Sequence, residues 1–454
     1  MKRSLLLRHG SILAALSMQG GAVLADTFPR TPPLPQQDAA HHVGATTCAG
    51  SSCHGISQSW QRLRGSSVAQ NEYSIWKYND RHSRAYETLR SPASARIATN
   101  LGLESAHTAS VCLNCHADNV PSSMRERTFR IGQGVGCEAC HGGAREWISS
   151  HVVNQGDHQE NLQAGMFPTE DPLARAKLCL SCHLGNEDKF VTHRMMGAGH
   201  PRLSFELDTF TAIQPAHHTI DQDYIRRKGS TNTANTWMMG QVVATEHTFA
   251  ALADPAFGRD GLFPELVFYD CQACHHHQDN LRWEPRPSVP NGPGQPRLND
   301  AHLLMLRVIA QTLAPDLNDS LLQAQSSLHA ASIQDWASLE EAAQTNQALA
   351  RALAAQIQGH TPTIEEVWSM VEGLIALGAS GEYFDYAAAE QATMALSALL
   401  IELIEQNASD TEGAESMKSA LESCYSATED ENSWDPVAFQ EALAAFQTAV
   451  SQTR

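Results

Sequence analysis

Five times along this chain a pair of cysteines is followed at once by a histidine, and no other feature constrains the fold as much. Cys112-Leu113-Asn114-Cys115-His116, Cys137-Glu138-Ala139-Cys140-His141, Cys179-Leu180-Ser181-Cys182-His183 and Cys271-Gln272-Ala273-Cys274-His275 share one spacing. Cys48 and Cys53, with His54 after them, form a longer-looped version. Two thiols separated by two residues reach the two vinyl groups of one porphyrin, and the adjoining histidine lies over its iron. Between Cys48 and Cys53 the intervening residues must bulge to keep that reach, which Gly50, Ser51 and Ser52 tolerate. Ten of the eleven cysteines are consumed in this way, leaving Cys424 as an unpaired structural or semi-exposed thiol.

Other uses of paired cysteines fit worse. Structural zinc needs no histidine immediately after every second cysteine. A thioredoxin-like pair would occur once, in a βαβ context that is missing here. Disulfide frameworks belong to small domains, not to 454 residues. The motifs therefore predict five covalently bound haem c groups. Their thioether positions are the ten cysteines above, and their proximal ligands are His54, His116, His141, His183 and His275. Aromatic residues are only 6% of the chain, and five porphyrins would supply much of the interior such a chain otherwise lacks.

Each iron has a second axial position, and 22 histidines are a ready store of distal ligands. His82 lies within a helical pattern from Trp76 to Leu89, with Trp76, Tyr86 and Leu89 as its apolar stripe. His151 follows Trp147 by one helical turn, after a glycine-rich stretch that lets backbone approach a porphyrin face. His193 and His200 flank a Met-Met-Gly-Ala-Gly loop that should not form a regular helix. Met195 or Met196 there is an alternative axial ligand, weighed against simple packing at a haem edge. His302 lies one turn after a Pro/Gly-rich segment and is expected to reach back to a haem. The remaining histidines rank lower. His41 and His42 read as a solvated terminal pair, and His107 as too close in sequence to cap its own haem. His158 is weaker than His151, and His217 and His218 are available in a polar loop. His247 sits in a helical stretch from Trp237 to Leu252. His276 and His277 suit propionate contacts or the surface.

The ends of the chain have a different character. Lys2, Arg3 and Arg8, an apolar run from Ile12 to Leu24, and Val23-Leu24-Ala25 before Asp26 read as a signal peptide over 1–25. A Pro-rich leader over 26–40 precedes a haem-binding domain over 41–284 and a Pro/Gly linker over 285–299. Residues 300–454 read as an acidic bundle of roughly six helices. Asp300 is the expected cap of the first, Thr363 with Glu366 forms a capping box, and Asp435-Pro436 starts the last. The fold class is mostly α: a multihaem cytochrome c domain with little regular sheet, then the C-terminal bundle. Beyond the signal no stretch reads as apolar enough to span a bilayer. Export to the periplasm or beyond is expected.

Net charge is −19, and residues 301–454 hold 22 Asp/Glu against 4 Lys/Arg. Such a balance argues against a nucleic-acid partner, which needs a basic footprint. It suits solubility, or the steering of a basic or membrane-associated redox donor or acceptor.

A haem motif, then Trp76-x5-His82, then C-x-x-C-H, then Gly134-Val-Gly-Cys-Glu-Ala-Cys-His-Gly142 with His151 beyond it, resembles the cytochrome c-554 family. The resemblance implies closely stacked haems in a mostly helical wrapping, a packing shared with hydroxylamine oxidoreductase. It implies that His82 and His151 cap haems other than those nearest in sequence, and that the His116 haem is left five-coordinate. The fifth motif, the longer Cys48–Cys53 loop and the helical C-terminal region depart from the family. Two functions follow. Bis-His irons exchange electrons without binding substrate, the expectation for an electron carrier. An open iron would instead make an enzyme acting on hydroxylamine, nitric oxide, nitrite or a sulfur oxyanion. No C-x-x-C-K motif is present to suggest a cytochrome c nitrite reductase.

Overall fold

The computed structural model describes residues 31–56, 69–152, 157–230, 232–259, 264–276, 284–406 and 411–454. The signal-peptide stretch, part of the leader and His277 lie outside the described residues. The protein is mostly α; among the described residues the one sheet is a short hairpin pairing Gly185–Asn186 with Lys189–Phe190.

A 3₁₀ turn, Ala45–Thr47, leads into the first motif, and the second and third lie in short helices, Ser110–His116 and Cys137–His141. The fourth motif ends a longer helix, Pro172–His183, started by the Asp171 carboxylate, which accepts the Ala174 N–H, and by proline in the first turn. The single helix expected from Trp76 to Leu89 is broken. Glu72–Tyr78 ends at Asn79, and Asp80 accepts the His82 N–H to start a 3₁₀ turn, Arg81–Arg84, before Ala85–Thr88. A local aspartate cap outcompetes continuation of the apolar stripe. Met195 and Met196, expected in a loop, lie in a one-turn helix, His193–Gly197, capped by Thr192. It stops before Gly199, whose φ of 118° is closed to most other residues.

Thr233–Ala253 is the spine of the molecule. It is buried around most of its circumference, from Ala234 and Trp237 to Phe249 and Leu252, as a helix apolar on all sides must be. Packed on it are Pro172–His183 on one side and, on others, Ala301–Leu313, Trp336–Ile357 and Tyr386–Glu405. One apolar core runs from Leu173 and Leu180, beside the fourth motif, to Phe446 and Val450 at the C-terminus. The acidic region contains seven α-helices among the described residues: Ala301–Leu313, Pro315–Ala331, Trp336–Ile357, Ile364–Ala379, Tyr386–Glu405, Thr411–Ala427 and Pro436–Thr453. The capping box of Thr363 and Glu366 is present, and Asp435 caps the last helix at Val437. Tyr386–Glu405, with a mean hydropathy of 1.4, is long and apolar enough to cross a membrane, contrary to the expectation from sequence. Its apolar window is 72% buried inside the bundle, which explains its composition as that of a core helix.

Asp300 does not cap the helix it precedes. Its carboxylate accepts from Arg286 (3.0 and 2.9 Å), Gln325 (2.6 Å) and His329 (2.8 Å). Arg286, fully buried, also donates to Asp385 at 2.6 Å, and Ser288 donates to Glu382 at 2.6 Å. The Pro/Gly segment expected as a linker is thus fastened to the bundle. A buried guanidinium needs this surround of carboxylates, since an unpaired charge there is costly.

Candidate haem-binding centre

Every motif histidine faces a second histidine from a distant part of the chain. Ring centroids are 5.9 Å apart for His54 and His151, 6.0 Å for His183 and His82, and 6.4 Å for His116 and His200. They are 6.2 Å apart for both His141 and His217, and His275 and His193. Two imidazoles on opposite sides of one iron, with bonds of about 2 Å each, place their centroids roughly 6 Å apart. Five such separations, each involving the histidine of a different motif, fit five bis-His haems.

The outer nitrogens are consistent with that use. His54 Nδ1 hydrogen-bonds Glu72 Oε2 at 2.9 Å, and His82 Nδ1 hydrogen-bonds Asp80 Oδ1 at 2.9 Å. His116 Nδ1 meets the Ala85 carbonyl at 3.2 Å, and His200 Nδ1 meets that of Pro201 at 2.8 Å. An acceptor at Nδ1 fixes the ring and leaves Nε2 for a metal. The bonds to Glu72 and Asp80 hold His54 and His82 above the usual imidazole pKa. Burial instead lowers His116, His151, His183 and His217, and pushes His141 down to about 3. Those five rings are neutral near pH 7, the form that binds iron.

The thiols bring the motifs together. Cys48 of the first lies in hydrogen-bonding reach of Cys137 of the third, and Cys115 of the second in reach of Cys182 of the fourth. Cys140 of the third feels the charge of Cys179 and Cys182 of the fourth. Burial raises Cys179 and Cys271 to about 11. Among the described residues the one convergence of three or more ligand atoms is His42, Asp118 and Glu138, which contains no cysteine.

Of the distal candidates, His82, His151, His193 and His200 each lie opposite a motif histidine. His302 does not. Its helix packs on Thr233–Ala253, where its Nδ1 bonds Gln241 Oε1 at 2.8 Å, and burial lowers its pKa to about 4. His217 fills the remaining place, opposite His141. It comes from a polar loop without periodicity, and the signal that would have found it is the count of irons against ligands. His193 and His200, rather than Met195 or Met196, are the residues of this segment whose side chains lie opposite motif histidines.

The other histidines serve the scaffold. His42, expected in solvent, is fully buried, bonding Asp118 Oδ2 at 2.8 Å and the Pro35 carbonyl at 3.3 Å. Beside it Glu138, inside the third motif, accepts the backbone N–H groups of Val43 (2.8 Å), Gly44 (2.6 Å) and Ala144 (2.7 Å). This ties the segment before the first motif to the third. His107 packs edge-on to Tyr86, His158 bonds Glu170, His247 Nδ1 bonds the Gly185 carbonyl at 3.0 Å, and His218 stacks on Tyr224.

Residues 47–142, which hold three of the five motifs, match the family described as cytochrome c554 and c-prime. No curated protein and no solved structure matches the chain. With the ligand geometry above, that match makes the protein a haem c-type cytochrome, its segment 47–142 belonging to the cytochrome c554 family.

Proposed function

We propose that this is an exported pentahaem cytochrome that carries electrons between redox partners through bis-His haems. The observation that carries the proposal is the second histidine opposite every motif histidine, at 5.9 to 6.4 Å. Bound haem supplies reversible one-electron exchange at iron. The chain's own residues hold the rings in place and keep both axial positions filled. The thiol pairs join the first motif to the third and the second to the fourth, and Cys140 of the third lies within electrostatic range of the fourth. His200 and His193, on one short segment, lead from the second motif to the fifth. The basic n-region and apolar run at the N-terminus support export, in line with covalent haem attachment outside the cytoplasm.

The rival function is an enzyme with an open iron on His116, and it requires His200 to lie elsewhere. Carbon monoxide added to the dithionite-reduced protein separates the two. A carrier leaves the Soret band unmoved, whereas a shift of one haem's share of the absorbance would establish an open iron and overturn the proposal.

A further inference from the structure

The acidic bundle dominates the net charge, but the haem-bearing half has a face of the opposite sign. Lys77, Arg81, Arg84, Arg90, Arg127 and Arg130 are all exposed. None of the six enters an ion pair among the described residues. They come from stretches that adjoin in space. Trp76 Nε1 donates to the Val135 carbonyl and the Val135 N–H to the His82 carbonyl, both at 3.0 Å. Tyr86, Leu89 and Ile131 share one small apolar cluster.

The acids of the same stretches are mostly committed inward or sideways. Glu72 bonds His54, Asp80 bonds His82 and Gln214, and Glu126 engages His41 and Arg145. Glu87 is the exposed exception. Tyr78, 75% exposed beside Lys77, adds an aromatic ring of the kind enriched where proteins meet. The face also has a position relative to the redox centre. The Ala85 carbonyl, next to Arg84, accepts from His116 Nδ1, and Tyr86, Leu89 and Ile131 pack with Cys112 and Leu113, so the stretches that carry Arg84, Arg90 and Arg130 adjoin the second motif.

We infer that this face is the docking surface for an acidic redox protein, which it orients against the haem of the second motif. The inference rests on the electron-carrier reading and deepens it. It assigns the cationic face a partner of opposite sign to the one the bundle's charge suggests. Complementary charge raises encounter rates and fixes orientation, and salt screens it over about 8–10 Å.

The test is stopped-flow reduction of the oxidised holoprotein by reduced plant-type ferredoxin, an acidic iron–sulfur protein. One electron leaves its cluster and one ferric haem becomes ferrous. The wild-type rate is expected to fall with ionic strength, and the rate with cationic hexaammineruthenium(II) to rise. Arg84→Glu with Arg130→Glu should slow ferredoxin about tenfold at low salt and flatten the salt dependence. Arg226→Glu with Lys418→Glu changes net charge equally at exposed sites elsewhere, and should leave the rate nearly unchanged. Equal slowing by both pairs, or a wild-type ferredoxin rate that rises with salt, would overturn the docking face. Failure of the wild type to accept electrons even from dithionite would instead count against the carrier reading.

Discussion

Glu72→Gln isolates the charge that the protein places behind the first motif's iron. Glu72 Oε2 lies 2.9 Å from His54 Nδ1, and its Oε1 is held by the Ala69 and Gln70 N–H groups at 2.8 and 3.2 Å. The carboxylate side chain is 16% exposed, so solvent screens it only in part. An iron bound at Nε2 would lie roughly 7 Å from that oxygen. At an effective dielectric of about 20 the attraction for one extra positive charge is about 2 kcal/mol. For a one-electron couple this is roughly 90 mV. Glutamine keeps the shape and an accepting oxygen and removes only the charge. Loss of a negative charge disfavours the ferric state, so the potential of the His54–His151 haem should rise by about that amount. The assay is a potentiometric titration followed by low-temperature electron paramagnetic resonance, which resolves that haem by its nearly parallel ligand rings, 18° apart. A downward shift, or one that falls on the crossed-ring haems, would refute the reasoning.

Three further outcomes are expected. His200→Ala should open one iron, so that the reduced protein binds one carbon monoxide per chain and added imidazole competes with it; no binding would mean that His200 does not face the second haem. Arg286→Ala leaves Asp300 and Asp385 buried without their cation, and should cost about 3–5 kcal/mol, read as a fall of several degrees in the helical melt at 222 nm. Asp208, 9% exposed, has its carboxyl pushed up to about 8 by burial, with Glu206 next in effect. Its folded pKa therefore exceeds the unfolded value of about 3.9, and the stability it contributes below that value is lost as pH rises through 8. Asp208→Asn removes this dependence. It should be more stable than wild type by on the order of 5 kcal/mol at pH 9, with no such advantage at pH 4; the same difference at both pH values would count against it.

What could be read from the sequence divides along the range of the interactions involved. The five motifs are legible because attachment chemistry is local: two thiols and a histidine within a few residues define each position. The long helices are legible from periodicity and from caps such as Thr363 with Glu366. The far ligands are not local. His151 meets His54 and His183 meets His82 across about a hundred residues of chain, and only the packed fold decides between His217 and His302. Pattern favoured His302, near a helix start. Yet that helix had an apolar partner in Thr233–Ala253, and burial against it took precedence. Asp300 and Asp80 show the same competition in miniature. The first leaves its helix cap for a buried arginine; the second creates a cap that breaks an amphipathic run. The buried Arg286 was hidden because prolines and glycines around it resemble a linker, and two of its three carboxylate neighbours lie about a hundred residues away.

The most direct test is spin quantitation by low-temperature electron paramagnetic resonance of the fully oxidised protein. Crossed ligand planes act on both iron π orbitals alike and leave them nearly degenerate, which raises the largest g value; parallel planes split them. The ring pairs at 85°, 86° and 88° predict three highly anisotropic low-spin irons, and those at 18° and 34° predict two of the rhombic kind. Five low-spin ferric centres per chain in that proportion is the expected result. A high-spin signal, or a total below five, would contradict the account at its centre.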